Sequence, residues 1–286
     1  MAGLHDCDVI VIGAGPGGLT AAAHLANAGR RVLVIDAGDH VGGHMSAFTH
    51  AGYEFDIGLH YTSEAPAQRV LRPLGVEVEF QQFDPLGRVR ILGPDRQFAV
   101  PRGMAAYRER LLEAFPGERG AIEDFLTLAQ RLASAQQQIP DAPGLRDLPM
   151  LAWRLRALAR YARSTAGGYL DSVGASPALQ VALLGWTNGS VAMAPSRMSL
   201  LAAASLITDY VEDLCYPQGG SQVISDGLAD VVRGNGGEVM LGTEADRILV
   251  SQGRVRGVQV RGASVDSAPG LEQAIRAPAV VSAVSV

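Results

Sequence analysis

Gly13, Gly15 and Gly18 stand in a Gly-x-Gly-x-x-Gly spacing directly behind the apolar run Val9-Ile10-Val11-Ile12, and Asp36 closes a second apolar run, Val32-Leu33-Val34-Ile35. Three glycines and one acid make no bonds themselves; in this order they bind a dinucleotide. Gly13 permits a tight turn, Gly15 lets the backbone approach a pyrophosphate, and Gly18 lets a helix pack closely on the strands. Ala14, Pro16 and Gly17 complete the turn. The helix they open directs its unsatisfied N–H groups and its positive end at the phosphates. Asp36 stands where a carboxylate accepts hydrogen bonds from a ribose diol. Glycine-rich turns also follow strands for structural reasons alone, but strand, turn, helix and distal acid together favour nucleotide binding.

Other chemistries find little to work with. All 24 basic residues are arginine, so no lysine is present to form a Schiff base. Cys7 and Cys215 lie far apart in no ligand-like spacing and read as reduced core thiols, which leaves no metal site. No Ser/His/Asp array or carboxylate pair offers hydrolysis. Gly234-x-Gly236 follows a helical pattern instead of a strand, so it reads as a helix stop. A net charge of -5 without a basic block gives no reason to expect nucleic acid. With 286 residues, 48% of them hydrophobic, the chain can bury a core in one large domain or two smaller ones. Val9 to Ala23 lacks the positive flank of a targeting segment, and no apolar run reaches the roughly twenty residues of a membrane span, so a cytoplasmic location is expected.

The elements that must position this site follow from periodicity. After Asp36 come Ala37, the pair Gly42-Gly43, His44, and an alternating strand that ends in Asp56-Ile57-Gly58 ahead of His60-Tyr61. Residues 64–75 read as a helix ending at Gly75. Strands are expected over 76–80, 89–92 and 97–100, with Gly93-Pro94-Asp95 as a turn, then helices over 104–115, 122–138, 148–163, 177–185 and 196–211. A helix towards Val232 and strands over 238–241, 245–250 and 254–260 follow Tyr216-Pro217-Gln218-Gly219-Gly220. The expected fold class is α/β: a Rossmann-type domain, with residues 1–75 and 216–286 enclosing an α+β insertion over 76–215.

On the dinucleotide fingerprint, the paired glycines, the Asp-x-Gly segment, the Pro101-Arg102-Gly103 turn, Phe115-Pro116 and Tyr216 to Gly220, the chain resembles FAD-dependent flavoproteins of the amine oxidase and phytoene desaturase superfamily. It is most similar to the branch of carotenoid isomerases, phytoene desaturases and all-trans-retinol saturases. The resemblance implies FAD in a GR2-type Rossmann domain. Gly42 and Gly43, with the flanking Ala37 and His44, would lie along the pyrophosphate and ribityl chain. Asp56, Ile57 and Gly58 would pass near the flavin ring, and Ala245 beside the adenine through its backbone. The insertion becomes a substrate domain for a hydrophobic polyene or isoprenoid. His60 is the ionisable side chain placed nearest the reacting face, either transferring a proton or hydrogen-bonded to backbone beside the ribityl chain.

Members of that superfamily run to roughly twice this length and end in a segment whose helix faces the flavin N1/C2 edge. Residues 279–286 read as an apolar Rossmann strand, so the chain reads as an N-terminal fragment with the adenosine and pyrophosphate half of the site and weakened FAD binding. Two rival readings stand beside a polyene oxidoreductase: a non-catalytic prenyl or lipid carrier of the same fold, and an amine oxidase-like flavoenzyme. The stretch from Leu148 to Arg163, with Arg154, Arg156, Arg160 and Arg163, suits peripheral contact with the inner membrane face or packing on the substrate domain with a solvated arginine face. Net charge favours packing.

Overall fold

The computed structural model describes residues 7–91, 96–139, 144, 146, 148–187, 193–262 and 272–284. Two compact units divide the chain: Met1–Gln81 with Cys215–Val286, and Gln82–Leu214.

The first unit begins with β1 (Val9–Ile12), α1 (Pro16–Asn27) and β2 (Val32–Ile35), the βαβ unit expected from the fingerprint. Every residue of β1 and β2 is buried, as a parallel sheet covered on both faces requires. A hairpin follows, β3 (Ala47–His50) against β4 (Tyr53–Asp56), and then β5 (Thr62–Ser63), α2 (Glu64–Leu71) and β6 (Phe80–Gln82). The helix after β5 closes through a 3-10 turn at Gly75, whose φ of 73° suits glycine.

The second unit holds the hairpin β7 (Gly87–Ile91) and β8 (Arg96–Val100) and the helices α3 (Met104–Ala114), α4 (Arg119–Gln137), α5 (Leu148–Ala159), α6 (Ala166–Ser172), α7 (Pro177–Leu184) and α8 (Leu200–Asp213). Its core gathers Phe98, Tyr107, Leu111, Ile122, Phe125, Leu179 and Ile207 with their neighbours.

The chain then runs through β9 (Leu214–Pro217), α9 (Gln222–Gly234), β10 (Glu238–Met240), β11 (Thr243–Ser251), β12 (Arg254–Gly262), β13 (Glu272–Arg276) and β14 (Ala279–Ser282). The central sheet is parallel in the order β10-β2-β1-β14, with Val9 opposite both Val32 and Ala279. On one face α1 and α9 cover it with Leu19, Ala22, Ala23, Leu228 and Val232. On the other, Ile10, Ile12, Leu33 and Ile35 meet Val258, Val260 and Ile275 of the β11-β12-β13 sheet.

Several expectations needed correction. The strand expected over 76–80 begins only at Phe80. Val76 and Val78 still turn towards the core, but Glu79 O accepts from Gln218 N and Val78 O from Gln68 Nε2, so isolated bonds replace a ladder there. The 76–81 segment sides with the first unit, where β6 shares a sheet with β9 and β5. The helix expected over 148–163 stops at Ala159, and that over 196–211 starts at Leu200. α6 and β13 were not anticipated. Cys215 is buried, whereas Cys7 is only half-buried, and the two form no disulfide with each other: Cys7 Sγ donates to Arg276 O at 3.6 Å and Cys215 Sγ to Thr62 O at 3.4 Å. The turn expected at Gly93-Pro94-Asp95 lies outside the described residues. Among the described residues no helix is long and apolar enough to cross a membrane.

Candidate functional site: a dinucleotide cradle

Each fingerprint glycine has its own steric reason. Gly13 sits at φ 102° and donates its N–H to Ile35 O at 2.8 Å, turning the chain off the end of β1. A Cβ on Gly18 would lie 1.9 Å from Gly13 O, so helix and turn could not approach as they do with any side chain there. Gly15 is different. Its backbone is extended, and a Cβ there, or on the exposed Gly17, would meet nothing within 4 Å. The protein leaves this space open to a ligand. Gly15 is also the N-cap of α1, no side chain caps the helix, and Pro16 opens it. The first-turn N–H groups therefore keep their donor capacity for an anion.

Asp36 ends β2 with its carboxylate turned back to the fingerprint. It accepts from Ala14 N at 2.6 Å and from Gly38 N at 2.7 Å. A carboxylate offers about four lone-pair sites, so two remain for a diol while the other two fix its rotamer. Ala37 follows, exposed. The start of β11 runs past this corner: Thr243 N donates to Asp36 O at 2.8 Å and Gly242 N to Gly38 O at 2.7 Å. Ala245, half-buried on β11, packs on the cluster of Ile10, Ile12, Leu33 and Ile35.

The paired-glycine loop lies against the same turn. Gly42 N donates to Ala14 O at 2.8 Å, and a Cβ on Gly43 would stand 3.2 Å from Gly15 Cα. Both glycines have positive φ, 121° and 52°. The Asp-x-Gly segment is laid alongside: Leu59 N donates to His44 O at 3.1 Å and Ile57 N to Ser46 O at 3.0 Å. A Cβ on Gly58 would come within 2.8 Å of His44 O. The structure thus brings Gly13 to Gly18, Asp36, Gly42, Gly43, His44, Ile57 and Gly58 into one neighbourhood. His44 and His60 present exposed side chains.

Asp56 has a role that sequence reasoning missed. Its carboxylate accepts the Tyr216 hydroxyl, Ser221 N at 3.0 Å and Ser221 Oγ at 2.5 Å. Burial works to raise its pKa, but the hydrogen bonds from Ser221 and Tyr216, with the charge of His60, hold it below the ordinary carboxylate value. Burial and then the Asp56 hydrogen bond push the Tyr216 phenol up to about 12. Asp56 therefore ties the segment beside the cradle to the entry of α9. Gln222, the first residue of α9, braces the glycine loop by accepting from Ala47 N at 3.2 Å and donating to Val41 O at 3.1 Å. The Tyr216 to Gly220 motif pointed to this corner, but nothing local pairs Ser221 or Gln222 with residues so far back in the chain.

A family model described as flavin containing amine oxidoreductase matches residues 16–286. The chain belongs to that family. Among its relatives, all-trans-retinol 13,14-reductase from Danio rerio is 29% identical over 97% of this chain and 47% of its own length. The human protein of that name is 30% identical over 89% of this chain and 44% of its own. Phytoene desaturase (neurosporene-forming) from Cereibacter sphaeroides is 29% identical over 91% of this chain and 51% of its own. The chain spans about half the length of these relatives. Its fold is similar to that of wild-type putrescine oxidase, matched with a TM-score of 0.61 at 20% identity over 97% of this chain and 58% of the oxidase. The Rab GDI of Plasmodium falciparum shares the fold at a TM-score of 0.58 and 14% identity, over 98% of this chain and 65% of its own.

FAD is the cofactor that this family and fold imply, and the residues fit it. The open faces of Gly15 and Gly17 leave room for a pyrophosphate over uncapped helix N–H groups, and Asp36 is held beside them.

Proposed function

We propose that this chain supplies the adenosine and pyrophosphate portion of the FAD site in an oxidoreductase that acts on carbon–carbon bonds of a polyene or isoprenoid lipid. The open cradle at Gly15, flanked by Asp36 and the Gly42-Gly43 loop, carries the cofactor part of this reading. The relatives' names carry the substrate part: one reduces all-trans-retinol at the 13,14 position, another desaturates phytoene. These run in opposite directions, so the shared feature is a conjugated apolar chain.

FAD, when bound, takes up or returns the hydride exchanged when a carbon–carbon single bond becomes double. This chain's own residues hold and orient. The α1 N–H groups bind the phosphates, and the free lone pairs of Asp36 accept the ribose hydroxyls. Asp56 acts at one remove, fixing the backbone of Ile57 and Gly58 through Tyr216 and Ser221. His60, exposed and near enough to Asp56 for its charge to be felt there, is the side chain able to hold or release a proton beside that segment.

The purified chain, titrated with FAD and with ADP as a competitor, tests the cofactor reading. FAD binding that ADP displaces and that Gly15→Val removes supports it. A colourless chain that binds neither nucleotide but takes up a prenyl lipid would make it a carrier.

A further inference from the structure

The turn that opens α9 carries three polar side chains, Ser221 at its N-cap, Gln222 and Ser225, and all three reach back to the segments beside the cradle. Ser221 and Ser225 are fully buried, where a hydroxyl is costly unless it is hydrogen-bonded. Ser221 Oγ donates to Asp56 Oδ1 at 2.5 Å, and Ser225 Oγ donates to Met45 O at 3.4 Å. Gln222 accepts from Ala47 N at 3.2 Å and donates to Val41 O at 3.1 Å and to Asp226 Oδ1 at 2.9 Å. Its amide fits in one orientation only. Turned over, it would set oxygen against oxygen at Val41 and N–H against N–H at Ala47. Val41, Met45 and Ala47 bracket Gly42 and Gly43, the two loop residues with the widest backbone freedom. All of these residues belong to the first unit.

We propose that Ser221, Gln222 and Ser225 are positioning residues that set the preference of the cradle for FAD over ADP, by holding the 42–47 loop and the 56–58 segment against the half of the cofactor beyond the pyrophosphate. The inference rests on the FAD reading above and deepens it. The contacts run in sequence: Asp36 beside Ala14, Gly15 beside Gly43, and His44 beside Gly58 and Leu59. FAD and ADP share a pyrophosphate and an adenosine ribose, which α1 and Asp36 meet, and Asp36 is oriented by Ala14 and Gly38 without α9. Only FAD continues past them, so only FAD feels where the loop is held. A loop that must be ordered on binding takes its ordering entropy out of the affinity.

Calorimetric titration of the full chain with FAD and, separately, with ADP tests this. The parent should bind FAD more tightly than ADP. Gln222→Met, which keeps the length of the side chain and removes its hydrogen bonds to the loop, should weaken FAD about tenfold, the scale of one or two net hydrogen bonds, and leave ADP close to its parent affinity. Ser225→Ala, a milder change that deletes one bond, should lower the FAD-to-ADP ratio in the same direction by less. Far-UV circular dichroism checks that both variants are folded. A merely structural role for these side chains would weaken the two ligands alike, and that result overturns the proposal. So does a parent with no preference for FAD, or a Gln222→Met variant with an unchanged ratio. In all three cases the ligands still bind and the cofactor reading stands, whereas a parent that binds neither FAD nor ADP removes that reading and this inference together.

Discussion

Gly15 and Gly18 belong to one motif, yet they are glycines for opposite reasons. Gly18 has no room for a Cβ inside the protein, because Gly13 O would be 1.9 Å away. Gly15 has room for one, so only a ligand makes its side chain costly. Gly15→Val should therefore fold with a melting temperature near that of the parent and fail to bind FAD, read by fluorescence titration. Gly18→Ala should instead destabilise by about 1–3 kcal/mol or more, as overpacking does, read by urea unfolding. Equal stability losses in the two variants would undo this distinction. Asp56 gives a second test at this scale. Its folded pKa lies below the unfolded value of 3.8, so its ionised form stabilises the fold above that pH. The contribution fades as pH falls through 3.8 towards the folded pKa. Asp56→Asn should cost about 1–3 kcal/mol at neutral pH, the scale of a charged hydrogen-bond acceptor. The gap to wild type should narrow in acid. Urea midpoints taken at neutral pH and below 3.8 check this, and a gap that stays constant would mean that Asp56 stabilises nothing through its charge.

Among the elements, cofactor choice rests on the loops that surround one βαβ unit. β2 delivers Asp36, the Gly42-Gly43 loop lies against the glycine turn, and the Ile57-Gly58 segment lies against that loop. A nicotinamide domain would need a second strand-linked glycine fingerprint, and the sequence has none. FAD should therefore bind more tightly than NAD, with NAD no better than millimolar, about -4 kcal/mol. Micromolar NAD binding with no FAD binding, measured by calorimetry, would reverse the assignment. The dependence of these loops on α9 was hidden from sequence reading. Gln222 and Ser221 open an ordinary amphipathic helix, and their side-chain bonds to residues 41, 47 and 56 exist only once the sheet has closed.

For the whole molecule, binding at the cradle is linked to folding. A ligand that binds only the native state, present at about a hundred times its dissociation constant, adds about 2.7 kcal/mol of stability. Saturating FAD should raise the unfolding midpoint of the parent chain and leave Gly15→Val unmoved. A parent midpoint indifferent to FAD would show that the cradle does not hold it. Each unit has its own buried core, so the shift is best read by calorimetry, where the unit bearing the site can respond alone.

The sequence by itself determined the βαβ unit, the three glycines, the terminal acid and the paired-glycine loop. Each is a short contiguous pattern whose steric or hydrogen-bonding requirement is local: an apolar run buried on both faces, a turn at φ 102°, an uncapped helix start. It also announced the flavoprotein resemblance that the family match bears out. Tertiary structure alone decided which side of each glycine is open and that Asp56 bonds Tyr216 and Ser221. It also decided that β14 and β10 flank β1 and β2. These depend on which distant segments meet when the apolar faces are buried, and hydrophobic burial carries no direction of its own. Local pattern says that a face must be covered; packing chooses the segment that covers it.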